Sequence, residues 1–491
     1  MLTFVLVALA VAVLAPIVTF FAKRDARRLQ HKRRIRVDRF KLKRRQKEVE
    51  LEVFGSREVV RAIQEYAKQH HVTVDEAKRQ AKQYLQEIVP KFNLLATHRI
   101  GEPMAKGIMR FLYRVVVERK PIHELNERIG RNASVVYMIN HRSNADYVLV
   151  AYMLFKFMSL SYAIGEWARV WPLNHIFKWF GGYFVRRRYR EPLYHAVLSK
   201  YVQTITKHRV TQGVFIEGGL TRDGAFQKPK LGMLDYLVSA KRDSEFTAPL
   251  FIIPTAVNYD RVLEDRNLTE ELLGREERST KGEKLRTTFD YLFRNFFRGV
   301  LHRFKRYGYA IVTFGNAVSI DDFAREHPGL LAETFDERKP ALQLLAERVM
   351  NEISNAIPIT PVPLVATIFT RHAVMTNKQM HDEIARLREE WADRPWLLRE
   401  KTPADIWKAA RQVLELRHLI VPVEQWRDDL FDGGGAPELE DAWQWNPEQV
   451  LLRDYYANSL VRFDDVKRRG WPERKHDART TAAVTAASAL Q

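Results

Sequence analysis

The sequence predicts an α/β fold: a central mixed sheet flanked by helices, with helical regions at both ends. Three observations predict it. From about residue 121 to 320, short apolar runs alternate with amphipathic stretches, the pattern of strands and helices in one layered domain. Polar clusters stand at the ends of those apolar runs, where open α/β sheets gather their ligands. At 491 residues and 46% hydrophobic, the chain has the length for a large core and the composition of a globular protein, not of a multi-span transporter.

Leu2 to Phe21 is an uncharged run of 20 residues, about the length that crosses a bilayer as a helix. Pro16 can kink such a helix without excluding it. A cleavable signal peptide would carry positive charge before the apolar run and a small-residue cleavage site after it. Here the charge follows instead, so residues 1–22 read as an uncleaved anchor. Lys23 to Lys47 holds fourteen Lys/Arg against Asp25 and Asp38, a net +12 of the chain's +20. Positive charge just after a span marks the cytoplasmic side. It also attracts anionic headgroups, at about 1 kcal/mol per residue near the surface. Residues 23–50 therefore read as a basic juxtamembrane arm. The expected location is the cell membrane, with a single N-terminal span and the bulk of the chain in the cytoplasm. Because the rest of the chain is only mildly basic, nucleic acid is not the expected partner. There are no cysteines, which excludes disulfides, thiol nucleophiles and thiolate metal sites.

Residues 51–120 read as a helical subdomain, on the helical recurrence of Ile63, Tyr66, Ala67, Val74, Ala77, Tyr84, Leu85 and Ile88. Pro90 and Gly101-Glu102-Pro103 interrupt it. Within 121–320, strands are expected at Val135 to Ile139, Tyr183 to Val185, Gly213 to Ile216, Leu250 to Val257 and Tyr309 to Phe314, with helices such as Leu193 to His208 and Gly232 to Lys241 between them. Residues 321–470 read as helical again, over Ala341 to Ile357, Asn377 to Trp391, Pro403 to Leu416 and Pro447 to Phe463. Gly433 to Gly435 is a loop, and residues 471–491 read as a disordered tail.

Four blocks carry the chemistry. In the first, the run Val135 to Ile139 delivers His141 into a loop, with Asp146 at a helix start five residues on. If the loop turns back, the carboxylate holds the imidazole, which is then a general base. In the second, Gly181 to Val185 feeds Arg186, Arg187 and Arg188. In the third, Val214 to Ile216 ends in Glu217, Gly218 and Gly219, followed by Arg222 and, further on, Lys230. The fourth is Phe251 to Asp260, through Ile253-Pro254. Together they supply a base, clustered positive charge and glycines that let a backbone approach a ligand, which suits an anionic substrate with a hydroxyl to deprotonate. Taken singly, each has a plainer reading. Arg186 to Arg188 is a solvated face, Glu217-Gly218-Gly219 a turn, Lys230 a helix-end charge, Asp146 a helix cap and Tyr259 a packing aromatic.

In this order the blocks resemble the glycerolipid acyltransferase superfamily, most closely its glycerol-3-phosphate and dihydroxyacetone-phosphate acyltransferases. His141 and Asp146 match the His-x4-Asp motif, Phe184-Val185-Arg186-Arg187 the second block, Phe215-Ile216-Glu217-Gly218 the third and Ile253-Pro254 the fourth. The segments Tyr309 to Val318 and Ile357 to Ala366 are also similar, so the resemblance covers roughly residues 95 to 370. One departure stands in block three, where Leu220 and Thr221 replace the usual arginine and serine, leaving Arg222.

The resemblance implies the glycerolipid acyltransferase fold over 121–320 and a membrane-bound O-acyltransferase. Its reaction would move a fatty acyl group from acyl-CoA or acyl carrier protein to the sn-1 hydroxyl of glycerol 3-phosphate, the first step of phospholipid biosynthesis. His141 would be the base and Asp146 its support. Asn144, or backbone N–H groups near the helix start, would stabilise the oxyanion. Arg186, Arg187, Arg222 and Lys230 would bind phosphate, with Glu217 and Gly218 completing the acceptor site. No metal or cofactor beyond the acyl donor is implied, and membrane lipid is a partner. Lysophosphatidate or dihydroxyacetone phosphate are alternative acceptors.

Rival readings explain less. A serine hydrolase would carry Gly-x-Ser-x-Gly, which is absent. A metal hydrolase would carry further ligands, but His-Glu-x-x-His does not occur, and His123 and His175 lack a partner pattern. The P-loop signature is missing too. A membrane-anchored basic scaffold accounts for residues 1–50 but not for the ordered blocks.

Overall fold

The computed structural model describes residues 46–90, 101–118, 129, 132–154, 161–164, 182–186, 189–272, 306–396, 398, 400–423 and 442–471. The anchor over 1–22, most of the basic arm, Arg187, Arg188, His123, His175, Gly433 to Gly435 and the tail beyond Trp471 lie outside these residues. Among the described residues, no helix is long and apolar enough to cross a membrane.

Four helices lead in: α1 (Gln46–Gly55), α2 (Arg57–Gln69), α3 (Val74–Ile88) and α4 (Glu102–Leu112). Ser56 and Thr73 set the starts of α2 and α3, each hydroxyl accepting from the N–H three residues on. Glu76 answers by accepting from the Thr73 N–H at 2.9 Å, which closes a capping box.

The chain then runs β1 (Arg114–Val117), β2 (Ser134–Ile139), α5 (Asp146–Leu154), β3 (Ser161–Ile164), β4 (Gly182–Phe184), α6 (Pro192–Lys207), β5 (Gln212–Phe215), α7 (Leu231–Ser239), β6 (Leu250–Tyr259), α8 (Asp265–Leu272), β7 (Tyr309–Phe314) and β8 (Val318–Ser319). The strands form one mixed sheet in the order β1-β7-β6-β2-β5-β3-β4, with β8 against β6. The five strands from β6 to β4 are parallel, so their carboxyl ends share one edge; β7 and β8 run antiparallel to β6, and β1 parallel to β7. α2, α3 and α7 pack on α6, and the leading helices and the sheet share one core.

One detail of register positions the site. β6 pairs with β2 only over Leu250 to Thr255, then continues against β7 to Tyr259. It therefore projects four residues past the rung where β2 ends. The Asn140 side chain bridges the step. Its Nδ2 donates to the Val257 carbonyl at 3.0 Å, and its Oδ1 accepts from the Val257 N–H at 2.8 Å. The amide thus continues the ladder by one rung while the backbone turns away.

The C-terminal part contains α9 (Ile320–Glu326), α10 (Phe335–Asn355), α11 (Pro361–Phe369), β9 (Val374–Thr376), α12 (Asn377–Glu390), α13 (Pro403–Leu416), β10 (Ile420–Pro422), β11 (Ala442–Trp445), α14 (Val450–Asn458) and α15 (Phe463–Arg469). It closes over the loop after β6. Arg417 donates to both oxygens of Asp265, at 2.6 and 2.8 Å, and the Tyr456 hydroxyl from α14 donates to the same carboxylate.

The five expected strands and the helices named between them form within a few residues of their expected ends. The differences have physical causes. β1 brings the sheet into the stretch expected to be purely helical, and β9, β10 and β11 make a three-stranded antiparallel sheet inside the helical C-terminal stretch. Each has three or four residues, too few for alternation to register. α10 starts six residues before Ala341, because Thr334 and Glu337 form a capping box there. The stretch Pro447 to Phe463 breaks after Asn458 into α14 and α15.

Arg417→Ala leaves the Asp265 carboxylate buried without its cation. We expect a loss of about 3–5 kcal/mol of stability, read as a lower midpoint in urea unfolding; an unchanged midpoint would refute this account of the pair.

Candidate active site

The loop from Asn140 to Asp146 turns back on itself around one carboxylate. Asp146 is the first residue of α5 and fully buried. Its Oδ2 accepts from His141 Nδ1 at 2.9 Å, from the Arg142 N–H at 2.8 Å and from the Ser143 N–H at 3.0 Å. Its Oδ1 accepts from the Tyr259 hydroxyl at 2.6 Å. Burial, and next the Asp146 charge, push the Tyr259 phenol well above its ordinary range, so it stays a donor. With Nδ1–H on the carboxylate, His141 presents the Nε2 lone pair as its basic atom. Phe215 stacks on the imidazole at 4.1 Å between centroids, Tyr147 meets it edge-on at 5.4 Å, and only 2% of the residue is exposed.

Glu217 follows β5 and holds the same loop from the other side. Oε1 accepts from the His141 N–H at 3.1 Å, and Oε2 from the Gln227 N–H at 3.0 Å. Burial pushes its carboxyl up to about 7, against the opposing pull of the Arg142 guanidinium and these two N–H bonds. The turn needs glycine at Gly218, where φ is +68° and a Cβ would stand 2.8 Å from Lys230 Cγ. Arg142 is itself buried. Its guanidinium donates to the carbonyls of Gly224 and Ser459 and lies 5.3 Å over the Phe226 ring.

The structure therefore brings His141, Asp146 and Glu217 into direct contact, with Gly218 and Lys230 packed beside Glu217. It places the other expected residues differently. The Asn144 side chain, expected to meet an oxyanion, stands beside the Glu264 carboxylate and favours its charged form. Arg186 lies on the same sheet edge, at the end of β4, three strands from β2. Its fork is closed on Glu87, at 2.8 and 2.5 Å, and it lies 4.7 Å over the Tyr189 ring. Arg222 is ion-paired with Glu271 at 2.7 Å, and Lys230 is exposed at the start of α7. Arg187 lies outside the described residues. In block three, Leu220 packs against the core, and Thr221 is buried with its hydroxyl on Ala225 and Asp223.

Four participants were not foreseen. Arg142 and Ser143 sit inside the His-x4-Asp spacing, where their types alone said little. Tyr259 was read as packing; it does pack on Tyr113, at 5.4 Å, but it also donates to Asp146. Glu264 lies five residues past β6, and its Oε2 accepts from the Ser143 hydroxyl at 2.8 Å. Burial pushes the Glu264 carboxyl up to about 7, and the nearby Asp146 adds to the rise. For Tyr259 and Glu264, a signal existed in the unusual length of the fourth apolar run, which carries its polar end past its neighbours. Among the described residues, no group of three or more His, Asp or Glu is arranged to hold a metal ion.

Chemically, a buried imidazole fixed by a carboxylate can take a proton from a hydroxyl and return it to a leaving group. Residues 95–258 match the family model described as acyltransferase, and residues 293–463 match the model for the glycerol-3-phosphate acyltransferase C-terminal region. In these two regions the chain is similar to acyltransferases and to the C-terminal region of glycerol-3-phosphate acyltransferases. The second match reaches Phe463, through the helices whose sequence carried no diagnostic motif. A glycerol-3-phosphate acyltransferase of Haemophilus influenzae (strain PittEE) is 26% identical over 424 residues, covering 82% of this chain and 48% of that one. One from Aeromonas hydrophila subsp. hydrophila is 26% identical over 339 residues, covering 67% and 40%. The chain thus spans about half the length of the relatives it matches. The crystal structure of the 1-acyl-sn-glycerophosphate (LPA) acyltransferase from Thermotoga maritima is 16% identical, with a TM-score of 0.28, over 52% of this chain and 78% of that one.

The raised Glu217 carboxyl has a consequence for stability. The folded protein holds this proton more tightly than the unfolded chain, so its contribution is complete below about pH 4.5 and is lost as pH rises to about 7. The amount is at most about 3 kcal/mol. Glu217→Gln removes the titration, so the stability difference between parent and variant should change across this window in urea unfolding. A constant difference from pH 4.5 to 7 would exclude the assignment.

Proposed function

We propose that this chain is a membrane-bound O-acyltransferase of the glycerolipid acyltransferase fold. It transfers a fatty acyl group from an acyl thioester to the sn-1 hydroxyl of glycerol 3-phosphate. The observation that carries the reading is the His141–Asp146 pair, buried at 2.9 Å at the carboxyl edge of a parallel sheet, inside the matched acyltransferase region.

In this mechanism, His141 Nε2 takes the hydroxyl proton as the oxygen attacks the thioester carbonyl. A C–O bond forms, and the carbonyl oxygen carries the charge of the tetrahedral intermediate. The C–S bond then breaks, and the imidazolium returns the proton to the leaving thiolate. Asp146 stabilises the imidazolium and fixes its tautomer. No enzyme nucleophile, metal or further cofactor enters these steps. Acyl-CoA or acyl carrier protein is the donor.

The acceptor phosphate falls to Arg187, Arg222 and Lys230, with Arg186 available if it exchanges Glu87 for phosphate. Asn144, which stands beside Glu264, serves the oxyanion. Glu217 acts on the acceptor chiefly by holding the His141 backbone. Residues 1–22 anchor the chain in the cell membrane, the basic arm meets anionic lipid, and the catalytic part faces the cytoplasm. Leu220 in block three favours testing dihydroxyacetone phosphate and lysophosphatidate beside glycerol 3-phosphate.

The test offers labelled acyl-CoA or acyl carrier protein and each acceptor to membranes carrying the full chain. Acylation of glycerol 3-phosphate is expected, with His141→Ala slower by about 10²–10⁴-fold. A His141→Ala variant as fast as the parent would end the mechanism; preference for another acceptor would move the substrate assignment.

A further inference from the structure

We propose that Glu264 is a positioning residue of this site, holding the loop between His141 and Asp146 through Ser143. The inference rests on the acyl-transfer reading and deepens it.

Three carboxylates converge on a loop of six residues. Asp146 and Glu217 accept from its backbone N–H groups at 141, 142 and 143. Glu264 takes the Ser143 side chain that these two leave. The Ser143 hydroxyl donates to Glu264 at 2.8 Å while its oxygen accepts from the Ala145 N–H at 3.1 Å. A hydroxyl held from both sides has one orientation, and it fixes the turn that leads into Asp146. The Asn144 side chain stands beside the same carboxylate and favours its charged form. The grip comes from the overhang of β6, since the segment that brings Tyr259 to Asp146 brings Glu264 to the residues before it.

Folding alone gives a weak reason for a carboxylate here. Glu264 forms no ion pair among the described residues, and the Asp146 charge beside it disfavours its own ionisation. An apolar side chain would avoid both costs. What the carboxylate provides is a fixed acceptor aimed at the loop that carries the base. A displacement of about 1 Å in such a loop costs roughly 10²-fold in rate.

The test uses the full chain in membranes, with acyl-CoA and glycerol 3-phosphate, and compares Glu264→Ala, Glu264→Gln, Ser143→Ala and the double variant Ser143→Ala/Glu264→Ala. For Glu264→Ala we expect kcat to fall roughly 10- to 100-fold, with the acceptor KM within about twofold of the parent. Glu264→Gln keeps an oxygen for the Ser143 hydroxyl and should recover most of kcat. The double variant should fall no further than Glu264→Ala, because both changes remove one interaction. Parent kcat in Glu264→Ala, a loss confined to KM, or additive losses in the double variant each overturn the proposal. Should Glu264→Ala fail to fold in thermal unfolding, Ser143→Ala decides: a lowered kcat supports the proposal and an unchanged one overturns it. A parent that acylates no acceptor overturns the reading and this inference together. A normal parent beside an unaffected Glu264→Ala overturns this inference alone.

Discussion

The Asp146 carboxylate organises the site. Four donors reach it: an imidazole nitrogen, two consecutive backbone N–H groups and a phenol. A buried carboxylate is tolerated when its lone pairs are satisfied, and here the donors that satisfy it are the loop that must be shaped. The same hydrogen bonds that offset burial also set the direction of His141. Removing any one donor would change both the electrostatics and the geometry.

That arrangement depends on a sheet whose strands end at different levels. β2 stops at Ile139, and β6 runs on to Tyr259. The Asn140 amide fills the step by pairing with Val257, so the chain can leave the ladder without orphaning that residue's N–H and C=O groups. Glu217 arrives from β5 on the other side. Base, support and backbone clamp therefore come from neighbouring strands, and the distances between them follow from strand spacing and register.

Positive charge is distributed differently from what a list of arginines suggests. Arg142 is buried between the His141 loop, the Gly224 loop and the C-terminal helices, where it balances Glu217 and ties Ser459 to the core. Arg186 stands just past β4 and Arg222 in the loop after β5, yet each is closed on a glutamate. The C-terminal region reaches into the same neighbourhood. Tyr456 and Arg417 fasten the start of α8, and Gly224 lies so close to the Tyr455 carbonyl that a Cβ has no room there. The half of the chain with no chemical motif thus braces the half that has them.

By itself, the sequence determined the α/β alternation, the strand ends and the His141–Asp146 pair. These rest on local facts: apolar runs long enough to show a pattern, and residue types whose chemistry is unusual at close spacing. It also placed Glu217 at a strand end, because the Gly218 turn follows directly. Only the tertiary structure decided what each carboxylate and arginine touches. The His141 N–H that Glu217 accepts lies 76 residues away, and the Ser143 hydroxyl that Glu264 accepts lies 121 residues away. Arg186 finds Glu87 on a helix that precedes the whole sheet. Strands of three or four residues and contacts across such separations leave no periodic trace, so pairing, register and burial had to assign them.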